Sequence, residues 1–466
     1  MKKITLTFSL FAALLNFSGA KAQTTPYTLQ VFEDAVYYNM FTNVTEPDTP
    51  NTPVPAGAIR NSNSSYGKKI TAEQIAAFGN KLTLNVEASS LCDDFDRIGN
   101  VNLVFVPKGA TAYDYKTVKR IEIGRFITPF MVPDGTLKVP YTYDVDNLLP
   151  IFRDAQLSQE FDFWVELEIY GYQGSATQGG AAADYPTLCG SRNDVYKGSL
   201  EFVSTTDATL EVGDEEYFQE LSYNFQLKNY VLATDTNNEG TDVLNSTVRS
   251  IKFTLDKAVT NAKFYLITSN HGSNSGGEEY NRRYHYVYLD GVRKLLYKPG
   301  ETTCEPYRQY NTRVNGIYGA SAMTPAQWQS FSNWCPGAKI PTRVIDLGDL
   351  AAGEHTFKIE VPNAQFAAGQ GYFPMSLYVQ AYSQTLGTDK FAVKNFSVSP
   401  NPVNDIATIT SNGLTVKNVD VVNILGQVVL KAKADKVDLS SLQAGVYIVK
   451  VLFDNNQTAT QKIIKK

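Results

Sequence analysis

The segment Cys92-Asp93-Asp94-Phe95-Asp96-Arg97 puts three carboxylates within four residues. Like charges this close raise one another's pKa, and chains keep them mainly to hold a cation, a substrate or a hydrogen-bonded loop. Alternation along an extended backbone places Asp94 and Asp96 on one face, with Arg97 able to keep one of them ionised. An acidic solvated turn explains the same residues equally well. A second candidate is Gly276-Gly277-Glu278-Glu279-Tyr280-Asn281-Arg282-Arg283, which follows His271-Gly272-Ser273-Asn274-Ser275. A Gly-rich loop between strands often serves recognition, and a carboxylate beside an aromatic ring suits a sugar. Such a loop is more often only a long hairpin connection. The third candidate, Glu166, lies on the polar face of an alternating segment, where a half-exposed glutamate is ordinarily just solvated. Carboxylates with divergent pKa values can supply both a general acid and a general base. With His271, His285 and His355 the only histidines, a His-rich metal centre is not expected, nor is a cofactor.

The elements that must position these groups read as β-strands. In Phe161 to Tyr170, Phe161, Phe163, Val165, Leu167 and Ile169 fall on one face and Asp162, Trp164, Glu166, Glu168 and Tyr170 on the other. That period of two predicts a strand burying one side. Comparable strands are predicted at Val101 to Val106, Ser199 to Val203, Ile251 to Leu255, Lys263 to Ile267, Tyr284 to Leu289, Phe357 to Val361 and Ser376 to Tyr382. Helical periodicity is confined to Ala72 to Phe78 and Pro325 to Phe331, and the Pro-, Asn-, Ser- and Thr-rich stretch from Thr45 to Lys68 reads as an irregular surface loop. A break near Thr205 to Asp207 divides the strands into two sandwich-like domains, and the character changes again near Phe391. The expected fold is therefore all-β, with domains at 23–205, 206–386 and 391–466.

Residues 1–22 read as a signal peptide: Lys2 and Lys3, an apolar run through Leu15, then Ala20-Lys21-Ala22 as a small-x-small cleavage site. The mature chain is thus expected outside the cytoplasm, where an even number of cysteines, Cys92, Cys189, Cys304 and Cys335, points to disulfides. No later run is apolar enough for a membrane span. Net charge is −5 with Lys and Arg scattered, so a nucleic-acid partner is not expected. Aromatics make up 12% of residues, which suits both β-sheets and stacking on sugar rings and does not separate the two.

Two resemblances add to this. Phe396-Ser397-Val398-Ser399-Pro400-Asn401-Pro402, Val422-Asn423-Ile424-Leu425-Gly426-Gln427-Val428, Leu439 to Val451 with its Ala444-Gly445-Val446-Tyr447 centre, and the basic end at Lys465 and Lys466 together resemble the C-terminal sorting domain of the type IX secretion system of Bacteroidetes. That implies a small β-sandwich, the type IX machinery as a partner, and export to the outer surface or medium. The Cys92–Arg97 block, Glu122-Ile123-Gly124-Arg125-Phe126-Ile127-Thr128-Pro129-Phe130, the Glu279 loop and Trp334-Cys335-Pro336-Gly337-Ala338-Lys339-Ile340-Pro341-Thr342-Arg343 resemble peptide-N-glycosidase F, in that family's order. The resemblance implies two adjacent eight-stranded jelly rolls with the active site between them, acting on N-glycosylated proteins or glycopeptides.

On this resemblance Asp96 matches the principal catalytic aspartate, which binds at the scissile amide and promotes attack by water. Glu279 matches a glutamate that places water and polarises the amide, and Glu166 one that positions the sugar core. Arg97, Phe95, Tyr280, Trp334 and His271 match or fall near substrate-lining positions, with ordinary packing as the rival for each and disulfide shielding as the rival for Trp334. Cys304 with Cys335 is implied as a family bridge; Cys92 with Cys189 is taken as a second pair with no motif behind it. The family's arginine three residues before Trp-Cys-Pro-Gly is Phe331 here, and Arg308 or Arg313 could stand in for it. The expected activity is hydrolysis of the N-acetylglucosamine-to-asparagine amide. A glycan-binding protein on the same fold, or a glycosidase cutting within the glycan core, is the alternative.

Overall fold

The computed structural model describes residues 26–41, 53–174, 180–207, 210, 212–235, 239–272, 277–313, 317–331, 333–366, 369–382, 396–411, 415–423, 427–454 and 458–466. The signal-peptide segment and Ser273 to Gly276 lie outside them. Alternating apolar residues build a first sandwich of two antiparallel sheets. One sheet orders Tyr27–Tyr38, Asp194–Thr205, Lys81–Ser90 and Val139–Asp144. The other orders Lys119–Ile127, Ile98–Pro107, Phe161–Ile169, Ser65–Lys69 and Ala58–Ser62. Leu84, Val86, Leu103, Phe105, Val165, Leu167 and Phe202 fill the space between them.

A second sandwich repeats the plan. Glu239–Gly240, Glu215–Leu227, Phe373–Tyr382, Val259–Thr268 and Arg343–Leu350 face Val248–Leu255, Gly353–Glu360, His285–Leu289 and Val292–Tyr297 across a core that includes Phe225, Phe253, Phe264, Phe357 and Val379. Among the described residues the second sandwich has nine strands and the first has ten, counting the Lys339–Ile340 edge strand, rather than the expected eight. In the first, the extra edge comes from the Ala58–Ser62 and Ser65–Lys69 hairpin, which corrects the expectation of an irregular loop through Lys68. Composition concealed it because its one fully buried large apolar side chain is Tyr66, whose hydroxyl donates to the Val36 carbonyl at 2.8 Å.

The Phe161–Ile169 strand departs from expectation on its second face, which is also buried. Glu166 and Glu168 are 0% and 1% exposed because other elements cover them. Tyr113 donates to Glu166 at 2.8 Å, and Tyr223, from the second sandwich, donates to Glu168 at 3.3 Å. The two sandwiches are tied at Arg125, also fully buried. Its guanidinium grips Glu122 with two bonds of 2.7 and 2.6 Å and reaches across to Ser269 Oγ at 2.9 Å and the Pro374 carbonyl at 2.8 Å. Lys339–Ile340, from the second half of the chain, pairs with Phe126 and Arg125 as an edge strand of the first sandwich.

The short helices predicted near Ala72 and Pro325 form at Ala72–Ala76 and Pro325–Phe331, the former closed by a Thr71–Gln74 capping box. Leu148–Arg153, Ala155–Glu160 and two single turns before Gly190 are helical without having been anticipated. The third region is a small sandwich. Phe396–Ser399, Ile406–Ser411 and Lys436–Asp438 oppose Val428–Ala432, Val416–Asn423, Gly445–Phe453 and Thr458–Lys465 over a separate core of Val398, Val419, Val449 and Ile463. Among the described residues no helix is long and apolar enough to cross a membrane.

Candidate active site

The Cys92–Arg97 segment leaves the Lys81–Ser90 strand and returns as Ile98–Pro107, so it is a loop at one end of the first sandwich. It does not alternate as an extended strand would. Asp93 folds it back: its carboxylate accepts from the Phe95 amide at 3.0 Å, the Tyr172 amide at 2.6 Å, and Arg97 Nε and Nη2 at 2.6 and 3.2 Å. Arg97 therefore serves Asp93 rather than Asp94 or Asp96, and gives a further bond to the Tyr172 carbonyl at 3.3 Å. Thr128 and Tyr196 fix the far side by donating to the Phe95 carbonyl at 3.0 and 2.8 Å. A disulfide joins Cys92 to Cys189, and a second joins Cys304 to Cys335.

Asp94, fully buried, is paired with Arg313 at 2.6 Å, and burial pushes its carboxyl up to about 6 against the pull of that guanidinium. Arg313 thus reaches the loop, whereas Arg308 spends itself on Glu305 at 2.7 and 2.9 Å. Phe95 is clasped between the guanidinium groups of Arg97 and Arg313, at 5.3 and 4.9 Å, and abuts Phe130 at 5.7 Å, so its faces are occupied. Asp96 is the carboxylate of the three with no ion pair among the described residues. Burial first, and then the charge of Glu279, push it up to about 8 while Arg97 pulls the other way.

Glu279 comes from the second sandwich. Its loop is held by Asn333, whose side-chain amide donates to the carbonyls of Glu278 and Glu279 at 2.8 and 2.6 Å. Glu278 is consumed structurally by Arg283 at 3.0 and 3.2 Å and by the Gln365 amide at 2.8 Å. Glu279 instead accepts from the Gly272 amide at 3.1 Å, and burial raises its carboxyl while Gly272 and the Tyr280 phenol oppose the shift. Gly272 has to be glycine: its φ is +128°, and a Cβ there would sit 2.8 Å from the Gly371 Cα. That close approach lets His271 bridge to Tyr372 and closes the floor of the loop.

The other predicted residues divide. Tyr280 is 41% exposed and rests on Phe331 at 5.9 Å, so its ring is open to a ligand beside Glu279. His271 is bonded to Ser269 Oγ at 2.8 Å, and burial with the nearby Arg125 lowers its pKa to about 3, which keeps it neutral. Trp334 is 6% exposed; its indole donates to the Asn270 carbonyl at 3.0 Å and its ring packs with Ile127, Ile267 and Ile340. It supports the site from behind, and the aromatic residue against the Cys304–Cys335 bridge is Trp328. Glu166 is not brought to the Asp96–Glu279 pair. It lies opposite Asn102, four strand residues or about 13 Å beyond Ile98, bonded to Asn61 at 3.0 Å, Asn102 at 3.1 Å and Arg120 at 3.2 Å. The same register puts Glu168 opposite Asn100, one step nearer Asp96. Glu168, Tyr170 and Asn333 are not singled out by the sequence, because strand alternation marks Glu168 and Tyr170 as ordinary polar-face residues and nothing marks a lone asparagine.

Known proteins give the same outline. A family model described as Peptide-N-glycosidase F, N terminal, matches residues 28–173, and Peptide-N-glycosidase F, C terminal, matches 241–380; together they span more than half of the chain. The Secretion system C-terminal sorting domain model matches residues 397–466. Peptide-N(4)-(N-acetyl-beta-D-glucosaminyl)asparagine amidase F of Elizabethkingia miricola is 24% identical over 298 residues, 63% of this chain and 71% of that protein. Among solved structures, PNGF-II in one crystal form aligns with a TM-score of 0.53 at 20% identity, covering 76% of this chain and 65% of that one. A second crystal form gives 0.51 at 19%, again over 65% of that chain, so the match spans just under two thirds of that relative's length. At those identities the structural likeness speaks for the fold, and with the matched models it leads to one conclusion: this chain belongs to the peptide-N-glycosidase F family and ends in a secretion-system sorting domain.

Proposed function

We propose that the chain is a secreted amidase that hydrolyses the bond between N-acetylglucosamine and asparagine in N-glycoproteins, releasing the glycan and leaving aspartate. The observation that carries this reading is that Asp96 and Glu279, from different sandwiches, lie close enough for the Glu279 charge to raise the Asp96 carboxyl. Two buried carboxyls that repel one another share a proton near neutral pH, which makes one an acid and the other a base. Asp96, raised to about 8, holds the proton, and Glu279, braced by the Gly272 amide, is the ionised partner. Glu279 draws a proton from water as the water oxygen bonds to the amide carbon. Asp96 delivers a proton to the nitrogen as the carbon–nitrogen bond breaks. The nitrogen leaves with the sugar as a glycosylamine and the water oxygen remains in the new aspartate. Tyr280 offers a ring face to the first sugar.

The sorting domain supports a site of action outside the cell or at its surface, with N-glycosylated proteins as partners and the type IX machinery as the exporter. Mass analysis of a treated glycopeptide tests the activity. The expected product is an aspartate peptide with an intact free glycan. A peptide retaining N-acetylglucosamine would indicate a glycosidase, and glycan binding without any product would indicate a lectin.

A further inference from the structure

The junction of the two sandwiches holds another cavity, of about 640 Å³, that the reaction above does not use. One wall is the stretch from Tyr115 into the Lys119–Ile127 strand, and the other is the Glu220–Gln226 part of the second sandwich's Glu215–Leu227 strand, with Arg249 at its edge. Tyr170 joins it to the candidate active site. Its amide donates to the Ile98 carbonyl at 3.3 Å, two residues beyond Asp96. Its phenol lies near that of Tyr372, which is bridged to His271 on the Glu279 loop.

The lining is electrically one-sided. Lys116, Lys119, Arg120 and Arg249 face Glu220 as the sole acid. Arg120 is neutralised from beneath by Glu166 at 3.2 Å. The other three are not neutralised to the same degree. Arg249 lies over the Phe225 ring at 4.5 Å and gives one long bond, 3.5 Å, to Asp242. Lys119 sits over Phe218 at 5.0 Å and makes no ion pair among the described residues, and Lys116 is exposed. Lys119, half-buried and without an ion pair among the described residues, costs free energy that an anion would return, and a hollow lined mainly by one sign of charge concentrates such an anion. The rings of Tyr115, Tyr170 and Tyr223 add surface on which a pyranose can lie.

We propose that this cavity is a subsite for an anionic sugar residue, bearing a carboxylate, sulfate or phosphate, on an outer arm of the glycan whose amide link sits at Asp96. The placement on an outer arm rests on the amidase reading; recognition of the acidic sugar does not. The test is calorimetric titration of the purified protein with released glycans: a sialylated biantennary glycan, a phosphorylated oligomannose glycan, and the neutral counterpart of each. At least one acidic glycan should bind about fivefold or more tightly than its neutral counterpart, close to 1 kcal/mol, and the gap should shrink as salt rises. Arg249→Ala and, separately, Lys116→Glu should bring the paired affinities together. Lys116 is exposed, so its variant reads the charge without disturbing the fold. Glycan release from glycopeptides is measured in parallel. No release with the acidic preference intact sinks the amidase and leaves the subsite standing. Equal affinities for acidic and neutral glycans in the wild-type protein, or a preference that survives both substitutions, overturns the subsite.

Discussion

Of the carboxylates in the two site loops, Asp93 is taken by Arg97, Asp94 by Arg313 and Glu278 by Arg283, which leaves Asp96, raised by burial and by the charge of Glu279. The proton held by Asp96 sets the expected pH dependence. Turnover should decline as pH rises through about 8, where Asp96 loses its proton, and also fall on the acid side as the raised Glu279 carboxyl is protonated. Asp96→Asn should keep the fold and lower kcat by about 10²–10⁴, measured on a glycopeptide; near-normal turnover would remove Asp96 from the mechanism. Stability follows the same proton. Folded Asp96 binds it more tightly than the unfolded chain does, so its contribution is complete below about pH 4 and is lost as pH rises through about 8. Asp96→Asn should therefore melt higher than the wild type above about pH 8 and converge with it at about pH 4, as followed by thermal unfolding. A constant difference across that range would contradict the assignment.

Arg313 carries the Cys304–Cys335 loop onto the first sandwich. Its amide donates to the Phe130 carbonyl at 3.0 Å, and its guanidinium meets Asp94 at 2.6 Å and Asp184 at 2.5 Å. Removing it leaves a buried carboxylate unpaired, a change that costs about 3–5 kcal/mol. Arg313→Ala should lower both Tm and kcat, and adding Asp94→Asn should recover most of the Tm. Arg308→Ala, which breaks an exposed pair with Glu305, a bond to the Gly319 carbonyl and a contact with the Tyr318 ring but strands no buried charge, should shift Tm by far less. Failure of the double variant to recover would mean that Arg313 acts through something other than Asp94. The sequence showed many of the segments that form strands. It did not show that Asp93 would turn the loop so that Arg97 served it, because that depends on amides at Phe95 and Tyr172, 79 positions from Asp93 in the latter case. Nor did it distinguish Glu166 from Glu168: alternation places both on one face, and only the pairing with Asn102 and Asn100 tells how far each lies from Asp96.

At the scale of the molecule, the Asp96 and Glu279 loops are held in place by two sandwiches locked in one orientation. Arg125 and Glu122 form the lock from within a single strand, and Ser269, Pro374 and Ser376 receive it on the other side. The all-β plan and the three successive cores were legible as alternation broken by turn-rich stretches. The lock was not, since a charged pair inside a strand gives no sign of being buried until the second sandwich covers it. Arg125→Met strands Glu122 without a counter-charge and should cost about 3–5 kcal/mol, read as a fall in Tm, with activity lost before secondary structure. The companion Glu122→Gln should relieve part of that cost; an unchanged Tm in Arg125→Met would show that the lock does not hold the sandwiches together.

Incubating the purified protein with a defined N-glycopeptide in water enriched in heavy oxygen, then weighing both products, tests the amidase account most directly. The expected products are an intact glycan with both core N-acetylglucosamines and a peptide whose asparagine has become aspartate carrying one heavy oxygen. A peptide that keeps an N-acetylglucosamine on its asparagine, or one unchanged at saturating protein, would contradict it.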